Sequence, residues 1–419
     1  MARFRLREFR PISADSHVDP PMEELIARLP AELRGQSRRL VEINGKPFYD
    51  IPGLAPISAE FADRQIALSD VGASDLEQER EFRNDPTGGR DIPRRINMIE
   101  SDGVWGELIF PNRLLSLGAH PNPAYQREMA RIYNEMCQEV FGRVFDRFAP
   151  AALVSMLDIG DAVTEAERVA ELGFTHVMLP PIVPWTPYWL GDWEPLWAAL
   201  EEIGLVASFH VFSGNTAQGV DFGNLWVIPD ELVELGKRNF RAEQVDERLS
   251  TTTMCMAAAM SALMHLTGAG VLDRHPNLRF ALVESEAGWL PWALQTLDLM
   301  QSRRRFGLVK LDLRPSEYFH RQGWATFIED KVAIDLLEYI GADRLMWSND
   351  WPHDEGTYLE SEEVTNKLLG HLPDETKRKL LHDNAAALFG LDGHASGVRT
   401  RASATQATEQ SEMSKPEAI

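Results

Sequence analysis

The chain predicts an α/β protein whose parallel strands close into a barrel, and two observations lead there. From Ile92 onward, short apolar runs alternate with amphipathic stretches that end at a Gly or a Pro, the rhythm of parallel strands joined by crossover helices. Several of those apolar runs stop on a carboxylate or an imidazole, and in such barrels the chemistry gathers where the C-terminal ends of the strands meet the loops. A length of 419 residues leaves room for one barrel of about 250 residues together with insertions.

The first strand is short: Ile12-Ser13-Ala14 leads into Asp15-Ser16-His17-Val18-Asp19-Pro20. Side chains alternate along an extended backbone, so Asp15 and His17 point the same way and their heads reach one place. A turn built from Asp, Ser and Pro is the competing reading. Pro21 to Leu40 reads as a short helix running into an Arg-rich turn. From Val41 to Asp91 the periodicity stops, and about 41–91 is expected to be an insertion that covers the site.

The regular part begins with a helix from Ile92 to Ser101 and a strand from Gly103 to Phe110. A helix follows from Pro123 to Arg147, with Met129, Ile132, Tyr133, Met136 and Val140 at spacings of three and four, then a strand from Phe148 to Val154. Next come a helix from Asp161 to Leu172, a strand from Thr175 to Pro181, a helix from Trp193 to Ile203 capped by Gly204, and a strand from Val206 to His210. The second half repeats the rhythm with helices at Thr252 to Thr267, Gly288 to Arg304 and Ala333 to Ile340, and strands at Leu278 to Glu284, Gly323 to Phe327 and Arg344 to Asp350. Closing helices span Glu362 to Leu369 and Asp374 to Phe389. Residues 1–392 are thus expected to form one barrel domain, and 393–419, with almost no apolar content, a disordered tail.

A formal net charge of −22 and a pI near 4.9 leave no basic surplus to neutralise phosphates, which argues against nucleic acid or an anionic membrane as a partner. Cys137 and Cys255 lie far apart in helix-like runs and are expected to be reduced core residues, as suits a cytoplasmic location. No apolar run approaches the roughly 18 residues a membrane span needs, and the basic start lacks the apolar core of a signal peptide.

The polar strand ends are Asp15 and His17 on the first strand, His210 on a middle one, Glu284 later, and Asp350 with His353 on the last. Carboxylates and imidazoles alone suit one or two divalent transition ions, Zn, Fe or Mn, with open positions for water and substrate. Each residue has a plainer reading: His210 as a strand cap, Glu284 as part of a helix start, His353 as ligand, proton shuttle or neighbour of a ligand. Asp350 is the strongest of them, because a lone carboxylate there is expensive to bury without a cation or a proton. His176, mid-strand, is expected to be a core residue.

Ser13-Ala14-Asp15-Ser16-His17, the His210 strand end, Val283-Glu284-Ser285-Glu286-Ala287-Gly288-Trp289-Leu290-Pro291 and Trp347-Ser348-Asn349-Asp350-Trp351-Pro352-His353-Asp354-Glu355-Gly356 occur in this order. Together they resemble the amidohydrolase superfamily, and within it the group that includes aminocarboxymuconate semialdehyde decarboxylase. The resemblance covers about residues 11–392. It implies a distorted (β/α)8 TIM barrel with a catalytic metal; the family often makes dimers, which leaves a homodimer open as the assembly. It also implies that Asp15 stands where many members carry the first histidine of a His-x-His pair, with His17 as the second and His210 as the middle-strand ligand. Asp350 would be the final aspartate, which also handles protons. Glu284 stands where the decarboxylases carry a catalytic histidine, and no lysine is evident to bridge two metals.

The expected reaction is hydrolysis of an acyl bond, in an amide, ester or thioester, by metal-activated hydroxide, with Asp350 passing the proton to the leaving group. Alternatives are non-oxidative decarboxylation of an aromatic or enoic acid, a dinuclear iron enzyme that uses dioxygen, and a metal-stabilised scaffold without activity. The substrate is expected to be a small molecule with an apolar or aromatic acyl part. Its pocket would be shaped by the insertion, the Trp185 to Trp197 segment and Trp226.

Overall fold

The computed structural model describes residues 3–53, 57–58, 85–183, 185–213, 247–303, 310–353 and 356–398. The extended segment after Pro11 breaks into two pieces, β1 (Ile12–Ser13) and β2 (His17–Val18), with Asp15 at the break. After a helix at Met22–Arg28, the strands β3 (Arg39–Ile43), β4 (Lys46–Asp50) and β5 (Ile57–Ser58) form a small antiparallel sheet of their own. The chain then enters β6 (Gly106–Pro111), which takes β1 and β2 along one edge, with Ile12 opposite Gly106 and His17 opposite Phe110.

The other edge of β6 pairs with β7 (Phe148–Pro150), and Ala152, just beyond β7, bridges Val177 in β8 (His176–Leu179). From β8 the strands β9 (Val206–His210), β10 (Phe280–Val283), β11 (Gly323–Phe327) and β12 (Leu345–Trp347) follow in order, each parallel to its neighbour. The ring closes where Ala14 N–H donates to the Trp347 carbonyl at 2.9 Å and Ser16 bridges Trp351. Among the described residues the ring has eight staves, β1 and β2 counting as one. A parallel strand covered on both faces reads as a near-continuous apolar run, which is why β6, β8, β9, β10 and β12 are buried throughout.

Side-chain caps start several of the crossover helices. Asp91 accepts from Arg94 N ahead of the helix Ile92–Ser101, Asn122 from Tyr125 N ahead of Pro123–Phe141, and Asp158 from Asp161 N ahead of Ile159–Glu171. Other elements differ from the sequence expectation. Some strands are shorter, with β10 covering Phe280–Val283 and β12 Leu345–Trp347, whereas β9 and β11 have the expected bounds. The expected helix Ala333 to Ile340 is two pieces, Lys331–Asp335 and Leu337–Ile340. The last long helix contains a π-helical turn at Lys379–Asp383.

The clearest difference is at 39–50, where no pattern was expected and a hairpin forms. Asn44 and Gly45 both take positive φ (53° and 76°) in a two-residue loop with Ile43 opposite Lys46. The burial of β3 does not alternate strictly between the two faces, so it left only a weak period to read.

Much of the expected 41–91 insertion, Trp226, and 399–419 of the expected tail lie outside the described residues. Val398, at the end of the described part, packs half-buried against the core. Cys137 is a buried free thiol, and the side chain of Cys255 lies outside the described residues. Among the described residues no helix is long and apolar enough to cross a membrane.

Candidate metal centre

The six residues expected at the site lie at one end of the ring. His17 opens β2 and His210 closes β9. Glu284 directly follows β10, and Asp350 and His353 follow β12. Glu284 and Asp350 both adopt the left-handed region, with φ of 57° and 50°. That conformation costs a non-glycine residue about 1–2 kcal/mol. It falls on the two carboxylates that must leave their strands sharply to face the mouth. The peptide bond Trp351-Pro352, between Asp350 and His353, is cis.

His17, Glu284, Asp350 and His353 offer ligand atoms within 4.8 Å of one another, and Asp15, His17 and His210 form a second such set that shares His17. His17 Nε2 lies 3.2 Å from Asp350 Oδ1 and 3.5 Å from Asp15 Oδ1. His353 Nδ1 sits between Asp350 Oδ1 at 3.3 Å and Glu284 Oε1 at 3.4 Å. The rings of His17 and His353 lie against each other at a tilt of 37°, with centroids 3.9 Å apart. The side chain of His353 is 23% exposed, whereas those of the other five are at most 1% exposed, so His353 faces the entrance.

The donor set fits a cation. His210 Nδ1 pairs with the Val211 carbonyl at 2.7 Å, which makes Nδ1 the protonated nitrogen and turns the Nε2 lone pair toward Asp15 Oδ1 at 3.4 Å. Two acceptors facing each other in a buried site repel unless a positive charge lies between them. His210 Nε2, Glu284 Oε2 and Asp350 Oδ2 are buried without a hydrogen-bond partner among the described residues. Buried carboxylate oxygens left in that state are costly, and coordination to a divalent ion resolves it.

Burial and the charge of Asp350 push the Glu284 carboxyl up to about 8. Burial works against the Asp350 carboxylate too, yet the His353 and His17 imidazoles hold it well below the usual range. Burial, with the His353 charge, takes His17 down to about 3, and burial lowers His210. His353 is raised well above its ordinary value by the Asp350 and Glu284 charges, against the pull of burial. Two neighbouring carboxyls with opposite preferences mark a functional site more often than a structural one.

His176 is the core residue its position suggested, bonded to Ser208 Oγ at 2.9 Å and the Ala149 carbonyl at 3.0 Å. The tryptophan segment divides: Trp193 and Trp197 are core, packed with Tyr188 and Phe209, while Trp185 and Trp189 are exposed. A mostly apolar cavity of about 220 Å³ lies between the helix Met22–Arg28, the hairpin side chain Leu40 and the loop after β6, where Arg113 pairs with Asp19 at 3.0 Å. None of the six site residues lines it.

Two supporting networks had no place in the sequence reading. Ser13 Oγ donates to the Asp15 carbonyl at 2.6 Å and accepts from Asn349 N at 2.9 Å. Asn349 Nδ2 and Ser361 Oγ both donate to Asp102, whose carboxyl burial pushes up to about 6. The other network centres on Arg95 and Glu107, fully buried at 2.6 Å. Its signal was a charge on the apolar side of a helix (Ile92, Arg95, Ile96, Met98, Ile99) and another inside an apolar strand.

A closed parallel barrel with carboxylates and imidazoles gathered at the C-terminal ends of its strands defines the class of metal-centred α/β-barrel enzymes. The profile of the Amidohydrolase family matches residues 48–391, and the chain belongs to that family. The gamma-resorcylate decarboxylase of Rhizobium radiobacter is 24% identical over 317 residues, which cover 71% of this chain and 87% of that protein. Among solved structures, an amidohydrolase from Mycobacterium avium subsp. paratuberculosis K-10 superposes with a TM-score of 0.67 at 17% identity, covering 90% of this chain and 96% of the other. A dihydroxybenzoic acid decarboxylase from Polaromonas sp. JS666, with bound manganese and the inhibitor 2-nitroresorcinol, superposes at 0.60 and 17% identity, covering 90% and 95%.

The expectation of acyl hydrolysis, thioesters included, is overturned by the gamma-resorcylate and dihydroxybenzoic acid decarboxylases among these proteins. A set of carboxylates and imidazoles at strand ends specifies a cation. It carries no information on whether a carbon–oxygen, carbon–nitrogen, carbon–sulfur or carbon–carbon bond is broken beside it.

Proposed function

We propose that this chain catalyses the metal-dependent, non-oxidative decarboxylation of a small hydroxybenzoic acid. The observation that carries the reading is the pairing of decarboxylase relatives over 71% of the chain with a buried cluster of carboxylates and imidazoles at the barrel mouth. In this reading residues 1–392 act as one barrel unit.

Asp15, His17, His210 and Asp350 would hold the ion, which is manganese in the Polaromonas structure. When bound, such an ion supplies positive charge to the carboxylate and the adjacent hydroxyl of the substrate. Glu284 and His353, 3.4 Å apart, hold the proton that the reaction needs. The bond between ring carbon and carboxyl breaks, carbon dioxide leaves, and the electron pair that stays on the ring carbon takes the proton from this pair. The buried surroundings of Asp350 and Glu284 exclude water from that carbon and strengthen every charge interaction there.

The test is to incubate Mn²⁺-loaded protein with a panel of hydroxybenzoic acids, measure carbon dioxide, and run the best substrate in D₂O. The expected result is stoichiometric carbon dioxide and one deuterium at the vacated ring position. Loaded protein that releases none from any member of the panel overturns the proposal.

A further inference from the structure

Arg95 is buried to 1% exposure, projects from the helix Ile92–Ser101, and ends directly behind the strand that carries His17. Its guanidinium donates to four groups on three separate segments of the chain. Nε donates to Glu107 Oε2 in β6 at 2.6 Å, Nη2 to Ser16 Oγ at 3.0 Å, and Nη1 to the carbonyl of His17 itself at 3.0 Å and to that of Gly89 at 3.3 Å. Its face lies 5.0 Å from the ring of Trp351, the residue after Asp350. Ser16 passes the connection on by donating to the Leu108 carbonyl at 2.7 Å. His17 N in turn donates to the Trp351 carbonyl at 2.8 Å.

One side chain thus touches the backbone of His17 and the residues adjoining both His17 and Asp350. Those two segments lie more than three hundred positions apart in sequence and meet where the barrel closes. A planar fork with five fixed donors suits such a junction, because each bond restricts the others. An ion pair is a poor choice for stability alone, since an apolar pair of equal volume would serve a barrel wall as well or better.

The geometry points to Arg95, paired with Glu107, as a positioning residue that sets the spacing of His17 against Asp350 and thereby the affinity of the site for its metal. This rests on the reading of His17 and Asp350 as metal ligands and goes beyond it. Groups that orient ligands from behind typically change metal affinity by about 10–100-fold when removed.

The experiment uses the full chain, with Mn²⁺ as the probe, and compares wild type with Arg95→Lys and with the double variant Arg95→Met/Glu107→Leu. The lysine keeps the charge opposite Glu107 and loses the fork. The double variant removes the pair without leaving a buried charge behind. Calorimetry gives the Mn²⁺ affinity, circular dichroism of metal-free protein gives the fold, and kcat is read separately from KM on loaded enzyme. The expected result is folded protein with Mn²⁺ affinity lowered about 10–100-fold in both variants, and with kcat reduced at saturating metal while KM changes little. Folded variants that bind Mn²⁺ as tightly as wild type overturn the inference, and so does loss of folded structure in both, which would make the pair structural. Wild type that binds no Mn²⁺ overturns the metal reading itself. Wild type that binds Mn²⁺ but decarboxylates nothing overturns the proposed reaction and leaves the affinity comparison intact.

Discussion

Gly89→Ala probes the packing behind the candidate metal centre with a single methyl group. Gly89 ends a tight turn in which its N–H and that of Thr87 both donate to Asp85, at 3.0 and 2.9 Å, and its φ is +77°. A Cβ there would lie 2.5 Å from Arg95 Nη1 and 3.1 and 3.2 Å from the Trp351 ring. Two costs add: about 1–2 kcal/mol for a left-handed alanine and about 1–3 kcal/mol for forcing a methyl into filled space. The sum is roughly 2–5 kcal/mol.

Two other glycines separate the terms. Gly45 has nearly the same φ, +76°, with nothing within 4 Å of the added atom, so Gly45→Ala carries the backbone cost alone. Gly35 has neither the positive φ nor a neighbour within 4 Å, and its alanine variant is expected within about 0.5 kcal/mol of wild type. Urea unfolding followed by far-ultraviolet circular dichroism, with the midpoint and slope of each variant, gives the three differences. If Gly89→Ala and Gly45→Ala lose the same stability, the space between Arg95 and Trp351 is not filled as described and the packing argument fails.

Asp350→Asn is expected to lower Mn²⁺ affinity and kcat/KM by at least ~100-fold, because losing a ligand should exceed losing a group that orients one; isothermal titration and steady-state rates check it. Chelation should lower the thermal midpoint reversibly, and Mn²⁺ at 1,000 times its Kd should restore about 4 kcal/mol, read by calorimetric melting with and without the ion. His176 is held down to about 4 by burial, so between that value and its ordinary 6.5 the unfolded chain binds more protons than the folded one. The stability this residue contributes is complete above pH 6.5 and is lost as pH falls toward 4, by about 3 kcal/mol in all. A His176→Phe variant should lack that slope, and parallel profiles for the two proteins would refute the assignment.

Local pattern was enough to read the barrel and the residues at its mouth. A parallel strand covered on both faces has to be apolar along its length, so an acid or imidazole at its end stands out in one dimension. Asp15, His17, His210, Glu284, Asp350 and His353 were all legible for that reason. The hairpin at 39–50 could have been found from Asn44-Gly45, a pair suited to positive φ, although its strands offered only a weak period.

Other features depend on atoms brought together from distant parts of the chain. The junction of Arg95 with Glu107, Ser16, His17, Gly89 and Trp351 exists only because β2 and the segment after β12 meet where the ring closes. Asp102 acquires its partners Asn349 and Ser361 in the same way. Which carboxyl stays charged is likewise a matter of three-dimensional surroundings: Glu284 and Asp350 are similar letters in the chain, and burial with different neighbours drives them in opposite directions. Residue type and alternation are properties of neighbouring positions and survive in the sequence, whereas distance, desolvation and field come into being when the barrel closes.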